Sequence, residues 1–152
     1  MDSLRVDHIG IAVPDIEASR ERLGRLFDLE PSPIEDVASE GVRVSFFLLG
    51  DVRIELLEPT RPDSSIQRFL DRGRPGVHHV ALRVEGAEIE SALARLSSAG
   101  FPVLGDGIRR GSGGSSVLFV HPKSTDGVLF EFIRAAEQAL EAADAEAARR
   151  PG

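Results

Sequence analysis

The chain has no cysteine, no tryptophan and no tyrosine. Without cysteine there is no disulfide, no thiolate metal site and no thiol nucleophile, so any metal must be held by nitrogen and oxygen. Long apolar runs are missing too. Nothing approaches the roughly 18 residues of a membrane span, and the N-terminus lacks a signal-peptide pattern, so a cytoplasmic location away from membranes is expected. Positive charge is in deficit, with 18 Lys and Arg against 25 Asp and Glu and a net charge of −7. That balance argues against nucleic acid as a partner, although a local basic cluster can still meet a phosphorylated ligand. What remains is an ordinary globular composition, 41% hydrophobic and 28% charged. At 152 residues this suits one domain, or two small modules that need each other to bury a core.

Alternation and helical spacing divide the chain. Leu4 to Val13 reads as a strand with Ile9, Ile11 and Val13 on one face and Val6, His8, Gly10 and Ala12 on the other. Pro14-Asp15 ends it and caps a helix from Ile16 whose apolar positions are Leu23, Leu26 and Phe27. Val42 to Leu49 and Val52 to Leu57 form a hairpin around Gly50-Asp51. The stretch 59–75 reads as a linker holding a short helix, Ser64 to Leu70, that buries Ile66, Phe69 and Leu70. Gly76 to Val84 is a second opening strand, with His79, Ala81 and Arg83 on one face and His78, Val80, Leu82 and Val84 on the other. A helix near Glu88 to Ala99 follows, with Ile89, Leu93 and Leu96 as its stripe and Gly100 as its stop. After a glycine-rich loop, Gly107 to Ser115, come strands Ser116 to Val120 and Val128 to Ile133. The Ala- and Glu-rich tail 135–152 is expected to be a frayed helix or disordered. The expected organisation is therefore one domain over 1–134, with modules at about 4–58 and 76–134.

The second module repeats the first. Asp7-His8-Ile9-Gly10-Ile11-Ala12-Val13 aligns without a gap on His78-His79-Val80-Ala81-Leu82-Arg83-Val84, and Arg53-Ile54-Glu55-Leu56-Leu57 aligns on Leu129-Phe130-Glu131-Phe132-Ile133. A helix that covers the branched face of each module leaves one His and one Glu on the other. Two such modules related by a pseudo-twofold place His8, Glu55, His79 and Glu131 in one cleft, a ligand set for Co, Mn, Ni, Zn or Fe. A single His on a strand is more often a hydrogen-bonded structural residue, and a single Glu usually pairs with an arginine. Four in phase with a repeat are harder to assign that way. His78 and His121 are out of phase or beside a proline, and read as structural or as supports for the ligands.

These segments resemble the vicinal oxygen chelate superfamily and, within it, the methylmalonyl-CoA epimerase family. The likeness runs from Val6 to Ile133. It rests on the two histidine strands, on Ile54-Glu55-Leu56-Leu57-Glu58-Pro59 and Gly127-Val128-Leu129-Phe130-Glu131, and on Asp63-Ser64-Ser65-Ile66 with Phe69-Leu70. His121-Pro122-Lys123-Ser124 also favours the epimerases over glyoxalase I. The resemblance implies an α+β fold of two βαβββ modules in tandem, with curved mixed sheets around a metal cleft. It implies one divalent cation, Co2+ before Mn2+, Ni2+, Zn2+ or Fe2+, on His8, Glu55, His79 and Glu131. It also implies an acyl-CoA substrate and a homodimer.

The activity so implied is epimerisation of methylmalonyl-CoA through a metal-stabilised enolate, with Glu131 as one base. Some family members carry a second catalytic glutamate where this chain has Val44, and a glutamine where it has Glu55. The repeat sets Glu55 opposite Glu131, which makes Glu55 the candidate for the second base. By the resemblance, Lys123, Ser124 and the Gly111 to Ser115 loop, Gly114 included, are candidates for contact with the substrate's free carboxylate or for covering the cleft, or are simply a solvated turn. Arg109 and Arg110 are candidates for CoA phosphates, although surface arginines are common. The alternatives are a glyoxalase I-type lactoylglutathione lyase, an epimerase for another acyl-CoA, and a non-enzymatic binder. Binders in this superfamily often line the cleft with aromatics and hold no metal, which fits this chain poorly.

Overall fold

A computed structural model of the chain describes residues 4–86 and 88–136. Most of the Ala- and Glu-rich tail thus lies outside the described residues. Two compact units emerge, Val6–Ala81 and a second made of Met1–Arg5 with Leu82–Gly152.

The first unit begins with β1 (Arg5–Ala12) and α1 (Ile16–Phe27), and continues through β2 (Glu35–Val37), β3 (Val42–Leu49) and β4 (Val52–Pro59). This is a βαβββ run. It is followed by α2 (Ser65–Arg72) and by β5 (Gly76–Arg83), which carries the chain out of the unit. The strand order is β2-β3-β4-β1-β5. β1 runs parallel to β4 with Gly10 beside Glu55, and β3 pairs antiparallel with β4 around Gly50, whose φ of 62° suits glycine.

α1 starts where Asp15 accepts a 3.0 Å bond from the Ala18 amide. The Glu58 carboxylate, itself held by Arg43, accepts another from the Ile16 amide at 2.6 Å. Both satisfy amides that a helix start leaves unpaired. The helix lays Ile16, Leu23 and Phe27 on Phe47, Leu56 and Val13. Leu26 does not join them and is 71% exposed. The stripe is set by Ile16, Ser19, Leu23 and Phe27, and Leu26 lies about 100° around the helix from Phe27.

The opposite face of this sheet carries Ala12, Val42, Val44 and Leu57, and α2 covers it with Ile66, flanked by Phe69 and Leu70. Ser64 caps α2 by accepting from the Ile66 amide at 3.1 Å. The stretch read as a linker therefore includes a helix packed on β4.

The second unit contains α3 (Glu88–Ser98), β6 (Arg109–Arg110), β7 (Ser116–Val120) and β8 (Leu129–Arg134). Its strand order is β8-β7-β6, and the Val84 amide, just past β5, donates to the Ile133 carbonyl at 2.9 Å. α3 buries Ile89, Ala92 and Leu96 on Val84, Leu118, Val120 and Phe132. Gly100 follows α3 at a φ of 77°, the left-handed turn expected there.

Candidate metal centre

Each ligand candidate of the first unit comes from a strand whose other face is occupied by packing. Strand alternation turns Ile11, Ile54 and Leu56 toward α1 and leaves His8, Gly10 and Glu55 on the opposite face. His79 arrives from β5. The three side chains are buried, at 5% exposure for His8, 7% for Glu55 and 4% for His79.

Their ligating atoms converge. His8 Nε2 lies 3.0 Å from His79 Nε2, and Glu55 Oε2 lies 3.4 Å from each. Ligands about 2.1 Å from a common cation stand about 3.0 Å apart at right angles and about 3.4 Å apart at the tetrahedral angle. All three edges fall on those values. A hydrogen bond can account for the 3.0 Å edge, whereas 3.4 Å is beyond good hydrogen-bond geometry. The donor set, two imidazoles and a carboxylate, suits a divalent transition metal.

Supporting contacts sharpen the fit. Asp7 Oδ1 lies 2.8 Å from His8 Nδ1 and is also paired with the Arg53 guanidinium. A carboxylate so paired accepts, so His8 carries its proton on Nδ1 and presents a lone pair at Nε2. Arg53 in turn lies over the Phe46 ring, 5.0 Å from its centroid. On the other arm, His78 Nδ1 lies 2.9 Å from His79 Nδ1. The His78 ring packs edge-on against Phe69 of α2. Burial first, and then the neighbouring His79, lower the His78 pKa to about 4 against an opposing pull from Glu55, so His78 is neutral at physiological pH. Strand alternation predicts His78 on the face away from the ligands; instead its ring meets His79 and packs on Phe69 of α2, the helix that shares the ligand side of the sheet.

Glu131 is buried on β8 in the second unit, opposite Phe119. Glu55 stands opposite Phe46 in the equivalent hairpin. An arginine lies over each of these rings at 5.0 Å, Arg53 over Phe46 and Arg109 over Phe119, although the two arginines come from non-equivalent strands, β4 and β6. Lys123 is exposed in a single helical turn, Pro122–Ser124, capped by the His121 imidazole, which accepts from the Lys123 amide at 3.1 Å. Ser124 Oγ donates to the His121 carbonyl at 2.9 Å. Gly114 has a φ of 77° and lies beside Arg110. His121 is thus a cap. Sequence offers Arg53 or Arg83 as the partner of a strand glutamate, whereas Arg53 pairs with Asp7; Asp7 and Gly10 were not singled out, although an acid directly before a strand histidine and a glycine inside a strand are signals of support and close approach.

Residues 7–119 match the family described as the Glyoxalase/Bleomycin resistance protein/Dioxygenase superfamily. The chain belongs to that superfamily. Its fold is the α+β glyoxalase-like fold. Over 129 residues it is 40% identical to the ethylmalonyl-CoA/methylmalonyl-CoA epimerase of Cereibacter sphaeroides, covering 84% of this chain and 95% of the relative. The crystal structure of methylmalonyl-CoA epimerase from Mycobacterium tuberculosis superposes with a TM-score of 0.81 at 30% identity, covering 90% of this chain and 91% of the other. A Ser-to-Thr variant of Streptomyces coelicolor methylmalonyl-CoA epimerase, in complex with 2-nitronate-propionyl-CoA, superposes at 0.79 and 37% identity, covering 89% and 97%.

Proposed function

We propose that the protein is a metal-dependent epimerase that interconverts (R)- and (S)-methylmalonyl-CoA by removing the α-proton and returning one to the opposite face. The carrying observation is the convergence of His8 Nε2, His79 Nε2 and Glu55 Oε2 on cation-sized edges in a chain whose relatives are acyl-CoA epimerases. Glu131, at the equivalent place in the second unit, is the proposed fourth ligand.

The cofactor is one divalent cation, Co2+ first by family resemblance, with Mn2+, Ni2+, Zn2+ and Fe2+ compatible with the same donors. When bound it supplies Lewis-acid stabilisation of the negative charge that spreads onto the thioester oxygen as the α-proton leaves. Inverting the α-carbon needs a base on each face, because a single base returns its proton to the face it came from. Glu131 is the first base. Glu55 is the second. Val44, where some relatives carry a further glutamate, is buried here with Ala12, Leu57 and Ile66 and offers no carboxylate. Asp7 and Arg53 hold the His8 ring while protons move at the glutamates. Lys123, Ser124 and Gly114 are the proposed contacts for the free carboxylate. A homodimer and a cytoplasmic location complete the proposal. No described helix is long and apolar enough to cross a membrane.

The discriminating experiment offers the metal-loaded protein methylmalonyl-CoA, ethylmalonyl-CoA and the glutathione hemithioacetal of methylglyoxal side by side. Epimerisation of the malonyl thioesters with an inert hemithioacetal is expected. Turnover of the hemithioacetal alone would replace the epimerase with a lyase on the same donors.

A further inference from the structure

His79 is the candidate ligand whose position is least explained by its own strand. Its ring reaches across β1 to meet His8 edge-on, 5.1 Å between centroids, with the planes at 88°. Two features make that reach possible. The first is Gly10, which β1 carries beside Glu55. A Cβ at that position would stand 2.5 Å from His79 Nδ1 and 2.8 Å from Nε2, and closer still to Cε1. Real Cβ contacts do not fall so short, so the ring occupies space that any other residue would fill. Gly10 does not have a left-handed φ, so the requirement for glycine is one of room and not of backbone conformation.

The second feature is His78. Its Nδ1 lies 2.9 Å from His79 Nδ1, and one of the two nitrogens must donate. For His79 Nε2 to point a lone pair at the site, its proton must sit on Nδ1 and be donated to His78. A neutral His78 with its own proton on Nε2 is the matching acceptor. The His78 ring is in turn fixed edge-on by Phe69, with centroids 5.1 Å apart and planes at 83°. Phe69 belongs to α2, which Ile66 anchors to the sheet.

We propose that Gly10 and His78 are the positioning residues of His79, Gly10 by leaving the space for its ring and His78 by accepting its Nδ1–H, so that Nε2 is aimed at a divalent cation. The two imidazoles are then supported by unlike partners. His8 leans on a carboxylate that is ion-paired to Arg53, and His79 on a neutral imidazole wedged against α2. The anionic partner makes His8 the more basic donor, and the neutral one makes His79 the arm more sensitive to packing. This inference rests on the metal-centre reading above.

The test is Co2+ titration of the full-length protein by calorimetry, together with the visible spectrum of the Co2+ form. Phe replaces His78 to keep a ring against Phe69 without an acceptor, and Asn replaces it to restore a carbonyl acceptor. H78F is expected to bind Co2+ about 10–100-fold more weakly with an altered spectrum, and H78N to recover most of the affinity and the wild-type spectrum. Gly10→Ala is expected to weaken binding at least as much as H78F. Thermal melts of the metal-free variants show whether each is folded. Equal affinity in wild type and H78F, or equal loss in H78F and H78N, would overturn the role of His78. Unchanged binding by folded Gly10→Ala would overturn the role of Gly10. A wild-type protein that takes up no Co2+ would instead remove the metal reading itself, a separate outcome visible before any variant is made.

Discussion

At the scale of single residues, Glu55 has two duties assigned to it, and they are separable. Its Oε2 faces both imidazoles at 3.4 Å, as a ligand would. Glu55→Gln keeps an oxygen donor and removes the base. Metal uptake is therefore expected to persist while exchange of the substrate α-proton with solvent deuterium falls by about 10²–10⁴-fold. Glu131→Ala is expected to lose both metal and exchange, since it removes the proposed fourth donor. A Glu55→Gln protein that exchanges at the normal rate would reduce Glu55 to a ligand. His78 gives a second prediction, for the metal-free protein. Its folded pKa of about 4 lies below the ordinary histidine value of 6.5, so the unfolded chain takes up its proton first as pH falls. Stability is complete above about pH 6.5 and declines toward pH 4, by roughly 3 kcal/mol if His78 acts alone. Urea unfolding at stepped pH is expected to show this decline in the wild type and a flatter profile in His78→Gln. Equal profiles would mean that other groups govern the acid limb.

The elements divide the labour by face. In the first unit α1 packs one side of the sheet, and the other side is shared by α2 and the candidate ligands. Phe47 is fully buried under α1, whereas Leu26 on the same helix is 71% exposed. Phe47→Ala is expected to cost about 3–5 kcal/mol, and Leu26→Ala to stay within about 0.5 kcal/mol, as measured by denaturant midpoints. A large loss at Leu26 would mean that its face is covered in solution. Strands with clear alternation were legible from sequence, β3 and β7 to the residue and β1 to within one residue at either end. β2 and β6 were not, because three residues of Glu-Asp-Val and two of Arg-Arg are too few to show a period. Leu26 was misplaced because 3.6-residue spacing admits two neighbouring stripes, and only the packed partners choose between them. Alternation also sufficed to put His8 and Glu55 on the face away from α1. The ring contacts across strands were not legible. That Arg53 meets Asp7, or that Gly10 makes room for His79, depends on pairing register, which residue order alone does not specify.

For the whole molecule, the repeated plan is the central fact. A βαβββ run built around one His and one Glu appears twice in the chain, with each Glu opposite a Phe. A chain without cysteine must hold a transition metal through nitrogen and oxygen donors, and His8, Glu55 and His79 of the first unit are a set of that kind. The proposed role of these donors is proton exchange at the α-carbon of a malonyl thioester. The most direct test is proton NMR of methylmalonyl-CoA in deuterium oxide with the protein as isolated, after chelation, and after Co2+ is restored. The α-proton signal is expected to disappear as the two epimers equilibrate, chelation to stop both, and Co2+ to return both. Exchange that continues unchanged in the chelated protein, or a Co2+-loaded protein that leaves the α-proton untouched, would contradict that role.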